Sequence, residues 1–381
     1  MRIDVDDDGQ AVTIHDHATG MDDRFHALWL RDACACPVCR RPETNERLLD
    51  PTSLSLDVSV RSAQVGADGS NVSLEFDDGH HVTLTADFLA GLAPSMRDRS
   101  SDPMGRRTTW PSEIGSANPV LSFDRDRLRD DSGRRAMVNT LWEVGAVVIR
   151  AVEPTEDGLL DTAGLIGQVL PSNYGSTWSI EATTTPESAV DSERDLHVHT
   201  DLPYRRSPPG VQLIMAVVVD VGGGASTVVD GFSMAERLRA DHPNAWRLLT
   251  TVAFDYPYRR PGVDLRWDAP LISLDHHGAY ECVRRAPDLV GSPVVAADDT
   301  PALYQAMRVW TNLVEDPANQ AQVRLEPGEV LVFDNHRMLH GRTGFELGAS
   351  GRRHLIGCYL DIDELNSCRA VLNNNSARPI G

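Results

Sequence analysis

The chain contains no lysine: all 36 basic residues are arginines. Without a side-chain primary amine there is no Schiff-base nucleophile and no phosphate-loop lysine. Pyridoxal chemistry and Walker-type nucleotide hydrolysis are therefore excluded. Long apolar runs are missing too; none approaches the roughly 18 residues a membrane helix needs. The start, Met1-Arg-Ile-Asp-Val-Asp-Asp-Asp-Gly9, is acidic and has no apolar centre, so no secretory signal is expected. Positive charge is scarce, and 56 acidic residues leave a formal net charge of −20. So acidic a chain repels phosphate backbones and anionic lipid, and neither nucleic acid nor a membrane is an expected partner. Cysteines number only six, three of them clustered at 34, 36 and 39. In a long chain without an export signal this is not a disulfide framework. The cluster reads as a metal site, Cys282, Cys358 and Cys368 read as buried thiols, and the expected compartment is the cytoplasm.

What is present is an ordinary globular balance, 41% hydrophobic and 24% charged over 381 residues. That suffices for one large or two ordinary domains. Residues 1–98 read as a small β unit. Val58-Ser-Val-Arg-Ser62, Val72-Ser-Leu-Glu-Phe76 and His81-Val-Thr-Leu-Thr85 alternate apolar and polar residues as half-buried strands do. Residues 99–119, rich in Ser, Arg, Pro and Gly, read as a linker laid over the surface. The remainder, 120–381, mixes helices and strands. A helix is expected over 127–144, stopped by Gly145 and followed by the buried run Ala146-Val-Val-Ile149. Ser233-Met-Ala-Glu236 reads as a capping box. Thr300-Pro301 opens a helix with Leu303, Met307, Trp310 and Val314 on one face. The strongest strands are expected at 211–219, 329–333 and 354–360. Strands outnumber helices without strict alternation, which favours a mainly β sandwich or barrel with flanking helices.

The informative segment is His197-Val-His199-Thr-Asp201-Leu-Pro203. Residues two apart on an extended segment face one side, so His199 and Asp201 can share one metal ion. Far downstream, the buried-strand run Val330-Leu-Val-Phe333 leads to His340-Gly-Arg342, placing a second imidazole at the mouth of a sheet. Two His and one carboxylate with other positions open form the facial triad of non-haem iron(II) oxygenases. Arg353 opens the next strand, and a guanidinium there can hold a carboxylate bidentately. That ordered set suits iron with 2-oxoglutarate. Separately, Cys34-Ala-Cys36-Pro-Val-Cys39 can wrap one tetrahedral zinc that needs a fourth ligand.

Taken together these residues resemble the gamma-butyrobetaine and trimethyllysine dioxygenase family, within the taurine dioxygenase-like superfamily. The resemblance is carried by Trp29-Leu-Arg-Asp-Ala-Cys-Ala-Cys-Pro-Val-Cys39, Asn173-Tyr-Gly-Ser-Thr-Trp178, His199-Thr-Asp-Leu-Pro203 and Pro209-Gly-Val-Gln-Leu213. Val229-Asp-Gly-Phe232, Phe333-Asp-Asn335, Leu339-His-Gly-Arg342, Arg353-His-Leu355 and Tyr359-Leu-Asp361 complete it. It spans nearly the whole chain. It implies a double-stranded β-helix, or jelly roll, preceded by a small zinc-binding β domain. It also implies iron(II), 2-oxoglutarate and dioxygen, with His199, Asp201 and His340 as iron ligands and Arg353 as the 2-oxoglutarate anchor.

Ser226 falls where superfamily members place a hydroxyl donor to the same carboxylate; a turn is its other reading. For the zinc, the resemblance suggests His80 as fourth ligand, with His81 as competitor, and it implies a homodimer. An aromatic cage for a quaternary ammonium is implied at Tyr174, Trp178 and Tyr359, held by cation–π attraction. Two departures stand out. Asp191 occupies the fourth cage position, and Arg284 and Arg285 lie where the family binds the substrate carboxylate with amides. Either arginine could clamp a carboxylate or phosphonate. The leading reading is hydroxylation of a small betaine-like carboxylate. The alternatives are the same chemistry on a terpenoid acid or phosphonate, or a non-catalytic metal-binding scaffold.

Overall fold

The computed structural model describes residues 1–16, 21–44, 46–92, 107–111, 118–182, 192–347 and 351–373. They fall into two compact units, one within residues 1–92 and the other within 107–373.

The first unit pairs two three-stranded antiparallel sheets. One runs through Arg2–Val5, Ala11–Asp16 and Met21–His26, the other through Val60–Val65, Asn71–Phe76 and His81–Thr85. The strands of the second sheet follow the sequence alternation, with Val72, Leu74, Phe76, Val82 and Leu84 buried. The first sheet carries the same device less visibly: Val12 and Ile14 are buried on one face. Helix Ala27–Asp32 packs Leu30 into this core and leads directly into Cys34.

The second unit is a two-sheet jelly roll. Its six-stranded sheet has the order Leu121–Asp124, Ala146–Arg150, Val330–Asp334, Val211–Val219, Arg353–Leu360 and Thr177–Glu181. All neighbours are antiparallel except the first pair. The four-stranded sheet has the order Leu196–His199, Met338–Arg342, Ser226–Asp230 and Ala321–Val323. The central strands are buried on both faces and read as continuous apolar runs. Val211, Leu213 and Met215 meet helices Asp131–Val144, Glu156–Ala163 and Ile362–Leu372 in one core. Ile214 and Ala216, on the other face, meet Val228, Phe333, Met338 and Leu355 between the sheets. The helical layer closes with Gly145 at φ +91°, a left-handed cap that favours glycine.

Three local expectations are corrected. Residues 107–111 are not a surface linker but belong to the second unit's core. Trp110 is buried, its amide donates to Asp230 Oδ2 at 2.9 Å and its indole Nε1 to the Val144 carbonyl at 2.7 Å. A large aromatic in a polar stretch found a buried site that local composition did not reveal. Second, helix Gly231–Asp241 starts before Ser233: Asp230 caps it, accepting from the amides of Phe232 and Ser233. The Ser233 hydroxyl donates instead to the Trp110 carbonyl at 2.7 Å. Third, His340 lies inside strand Met338–Arg342, not at a strand mouth. Among the described residues no helix is long and apolar enough to cross a membrane.

Candidate active site

Strand register sets the site. In the four-stranded sheet His199 lies directly opposite His340, and Val228 opposite His340 from the other side. Opposite residues of an antiparallel pair project to one face, so both imidazoles share Val228's face, the one turned into the inter-sheet core. Ser226 is two residues before Val228 and shares it; it is buried at the start of a strand, not in a turn. In the facing sheet, Arg353 and Tyr359 share parity with Leu355, which lies in that same core. Residues from both sheets therefore converge between them.

Asp201 sits just past strand Leu196–His199, beside Leu202, whose φ of +52° is unusual for a non-glycine residue. Its Oδ1 lies 3.2 Å from His199 Nε2 and 3.7 Å from His340 Nε2. One donor atom from each of the three residues falls within 4.8 Å of the others. Donors about 2.1 Å from a shared ion stand about 3 Å apart when adjacent, so the set fits one cation. The surrounding bonds aim the donors. His199 Nδ1 stands 2.9 Å from the His197 carbonyl, a bond in which Nδ1 donates and Nε2 keeps its lone pair. Asn335 clamps the Asp201 backbone, accepting from its amide at 3.0 Å and donating to its carbonyl at 3.2 Å.

The electrostatics follow from burial and mutual contact. Burial, then His199, holds the His340 imidazole down at about 3, so it is neutral at pH 7. Burial opposes ionisation of Asp201. The charges and hydrogen bonds of His340, His199 and Tyr359 outweigh it and hold Asp201 well below the usual carboxylate range. Burial likewise opposes charge on His199, but the bond to Asp201 prevails and raises it.

Arg353 is buried, and burial together with Arg342 lowers it to about 10. Among the described residues its Nε has no hydrogen-bond partner and Nη2 reaches only the Gly224 carbonyl, at 3.5 Å. No ion pair to it occurs among the described residues. A buried guanidinium without a carboxylate is costly, and the C5 dicarboxylate 2-oxoglutarate fits the need. A set of only two imidazoles and one carboxylate also differs from a closed structural zinc site, which uses four protein ligands. Open positions beside such a triad, with a cation across the core, mark an iron(II)- and 2-oxoglutarate-dependent oxygenase.

Comparison with known proteins carries the assignment further. Residues 107–359 match the model of the taurine catabolism dioxygenase TauD, TfdA family. Residues 3–90 match the gamma-butyrobetaine hydroxylase-like N-terminal model. The chain is 34% identical to gamma-butyrobetaine dioxygenase of Pseudomonas sp. (strain AK-1), covering 93% of this chain and 92% of that one. It is 28% identical to mitochondrial trimethyllysine dioxygenase of Gallus gallus, covering 91% and 83%. A taurine dioxygenase from Burkholderia xenovorans shares the fold, with a TM-score of 0.50 at 17% identity over 67% of this chain and 89% of that one. The chain belongs to the TauD/TfdA dioxygenase family and carries the gamma-butyrobetaine hydroxylase-like N-terminal region.

The first unit holds a second donor cluster, Cys34, Cys36, Cys39 and His80. His80 Nε2 lies 3.2, 3.5 and 3.5 Å from the three sulfurs in turn, separations that suit one tetrahedral zinc. His81 is exposed on the neighbouring strand and stands outside the cluster. Arg31 braces the site, donating to Asp78 Oδ2 at 2.8 Å and to Cys39 Sγ at 3.5 Å, while Asp78 Oδ1 accepts from the His80 amide at 2.9 Å.

The expected pocket residues divide. Trp178 lies across Gly357, where any Cβ would run into the indole, and 6.1 Å from the Tyr359 ring. Tyr174 is half exposed and donates to the Tyr258 hydroxyl at 3.0 Å. Tyr258 in turn stacks on Tyr204 at 4.4 Å. Neither of these last two was singled out from sequence; each precedes an Arg-Arg pair, and nothing in the local sequence separates a site ring from a core ring.

Arg284 and Arg285 do not form a free clamp. Arg285 is buried, bonded to the Val198 carbonyl and paired with Glu315 at 2.7 Å. Arg284 donates to Ser273 Oγ at 3.0 Å and to the Arg206 carbonyl at 2.9 Å. Both arginines are engaged with neighbouring strands, a helix and a loop, a use that sequence cannot distinguish from ligand binding. Asp191 lies outside the described residues. Gln212 and Asn335 were also missed as site residues, although an amide inside Val211-Gln-Leu-Ile-Met-Ala216 was the available signal.

Proposed function

We propose that this dioxygenase hydroxylates an unactivated C–H bond of a small betaine-like carboxylate, with His199, Asp201 and His340 holding the ferrous ion. The observation that carries the reading is the convergence of these three donors, within 4.8 Å, between sheets that also bury Arg353, which has no ion pair among the described residues. Iron(II) held there would let dioxygen act as the oxidant, with 2-oxoglutarate giving up two electrons as it becomes succinate and carbon dioxide, one oxygen atom entering succinate and the other the substrate. The chain's own part is geometry. The His197 carbonyl fixes the His199 tautomer, Asn335 fixes the Asp201 backbone, and Arg353 with Ser226 receives the far carboxylate of 2-oxoglutarate.

The betaine-like substrate rests on likeness to gamma-butyrobetaine dioxygenase and on Tyr174 and Trp178, rings suited to a quaternary ammonium. The terpenoid or phosphonate alternative loses support, since Arg284 and Arg285 are internally engaged. In the first unit Cys34, Cys36, Cys39 and His80 bind a structural zinc, and the protein forms a homodimer. Six free cysteines suit a reducing compartment such as the cytoplasm.

The test is succinate release with iron(II), 2-oxoglutarate and a substrate panel. Gamma-butyrobetaine and related betaines should stimulate release well above the substrate-free rate. His199→Ala and His340→Ala should abolish it while circular dichroism stays unchanged. Stimulation only by non-betaine acids would move the substrate to another class, and turnover in either variant would refute the ligand set.

A further inference from the structure

We propose that Tyr359 and Gln212 are positioning residues for Asp201, with Tyr359 acting through its hydroxyl and not solely as a ring facing substrate. The inference rests on the reading of Asp201 as an iron ligand. Asp201 uses its two oxygens differently. Oδ1 faces both imidazoles, while Oδ2 accepts from the Tyr359 hydroxyl at 2.7 Å and from Gln212 Nε2 at 2.7 Å.

The two donors are directly opposite one another in the pairing of strands Val211–Val219 and Arg353–Leu360. Opposed side chains share a face at a fixed spacing, so the central sheet itself presents them as a pair. Asp201 lies beyond its own strand next to a left-handed residue, and its carboxylate is oriented from outside.

The amide orientation is forced. Gln212 Oε1 is buried with no partner among the described residues. Turning the amide over would set that oxygen against the carboxylate. Every other residue from 211 to 216 is aliphatic or methionine, so packing alone gives no reason for an amide there. Tyr359 is only 3% exposed, which leaves little of its ring for a ligand. With Oδ2 committed to two donors, only Oδ1 is offered to a metal.

The experiment uses the full chain with its zinc retained and Co(II) as an air-stable spectroscopic stand-in for iron(II). Titrations follow the visible bands and the heat of binding for wild type, Tyr359→Phe, Gln212→Met and His340→Ala. Loss of an outer partner of a metal ligand typically weakens metal binding about 10- to 100-fold. Tyr359→Phe and Gln212→Met should each weaken Co(II) by at least about tenfold and change the band pattern as Oδ2 becomes free to coordinate. Unchanged Co(II) affinity and bands in both variants would overturn the proposal. If wild type itself binds Co(II) no better than His340→Ala, the iron-site reading fails first and takes this one with it. Melting of the zinc-loaded, cobalt-free variants near wild type excludes general misfolding as the cause.

Discussion

Single side chains in this protein are understood through what they lack as much as through what they touch. Arg353 is buried beside Arg342 without a counter-ion among the described residues, and its guanidinium is lowered to about 10. It is therefore still charged at pH 7, and 2-oxoglutarate affinity should weaken only as the pH rises through that value. Replacing the fork by a point charge removes bidentate bonding. Hydrogen bonds to charged groups contribute about 1.5–3 kcal/mol, or roughly 10- to 100-fold in affinity. Arg353→Lys should raise the KM for 2-oxoglutarate by that factor, and Co(II) binding in the absence of 2-oxoglutarate should not change. An unaltered KM would place the anchor elsewhere. The contrast with Arg337 is instructive. That guanidinium is fully buried but pairs with Asp230 at 2.7 Å and donates to the carbonyls of Glu143 and Thr108. It is satisfied, and it ties the 107–111 segment to the strand turn from which His340 follows.

At the level of elements, the site depends on strand parity. Gln212, Tyr359 and Arg353 project from one face of the six-stranded sheet and His199, His340 and Ser226 from the facing sheet, so neither sheet alone contains the site. Gly357 belongs to this logic. It is opposite Trp178 in the register, and the indole lies over its bare backbone. Gly357→Ala forces the indole to move in a packed core, an overpacking change that costs about 1–3 kcal/mol. Urea unfolding should register that loss, and substrate KM should rise as the Trp178 wall shifts. Wild-type stability with wild-type KM would show that Trp178 is free to give way. The corrected helix start makes a related point. Asp230 both caps helix Gly231–Asp241 and accepts from Arg337 and Trp110, so one carboxylate joins a helix, a strand and the 107–111 segment.

For the molecule as a whole, two candidate metal sites of opposite character lie one in each compact unit. The Cys34, Cys36, Cys39 and His80 set offers four ligands and leaves no opening. Burial pushes the Cys34 thiol up to about 12, a penalty that a bound dication removes by stabilising the thiolate. Cys34→Ser should drop zinc content well below one per chain by atomic absorption. Hydrogen–deuterium exchange should then rise across residues 1–92, because metal-binding free energy is folding free energy in such modules. Full zinc occupancy in that variant would remove Cys34 from the ligand set. The net charge of −20 predicts weak retention on heparin, and strong retention would expose a basic surface that the sequence total conceals.

Much of this was legible along the chain, because it depends on residue identity and short spacing. The absence of lysine excluded two chemistries, the Cys-x-Cys-x2-Cys run pointed to a candidate thiolate site, and His199-x-Asp201 pointed to two candidate ligands of a triad. Apolar runs at 211–219 and 354–360 located the central strands, since burial on both faces removes most polar residues from both parities. Tertiary structure alone decided what depends on pairing across long distances. Register set His340 opposite His199 and Gln212 opposite Tyr359. It turned Arg285 toward Glu315 and left Arg353 without an ion pair among the described residues, although both are buried arginines in similar local sequence. It also drew Trp110 out of an apparent linker into the core. The physical reason is that a side chain's chemistry is local, while its hydrogen-bond partners and the water around it are fixed by strands contributed from elsewhere in the chain.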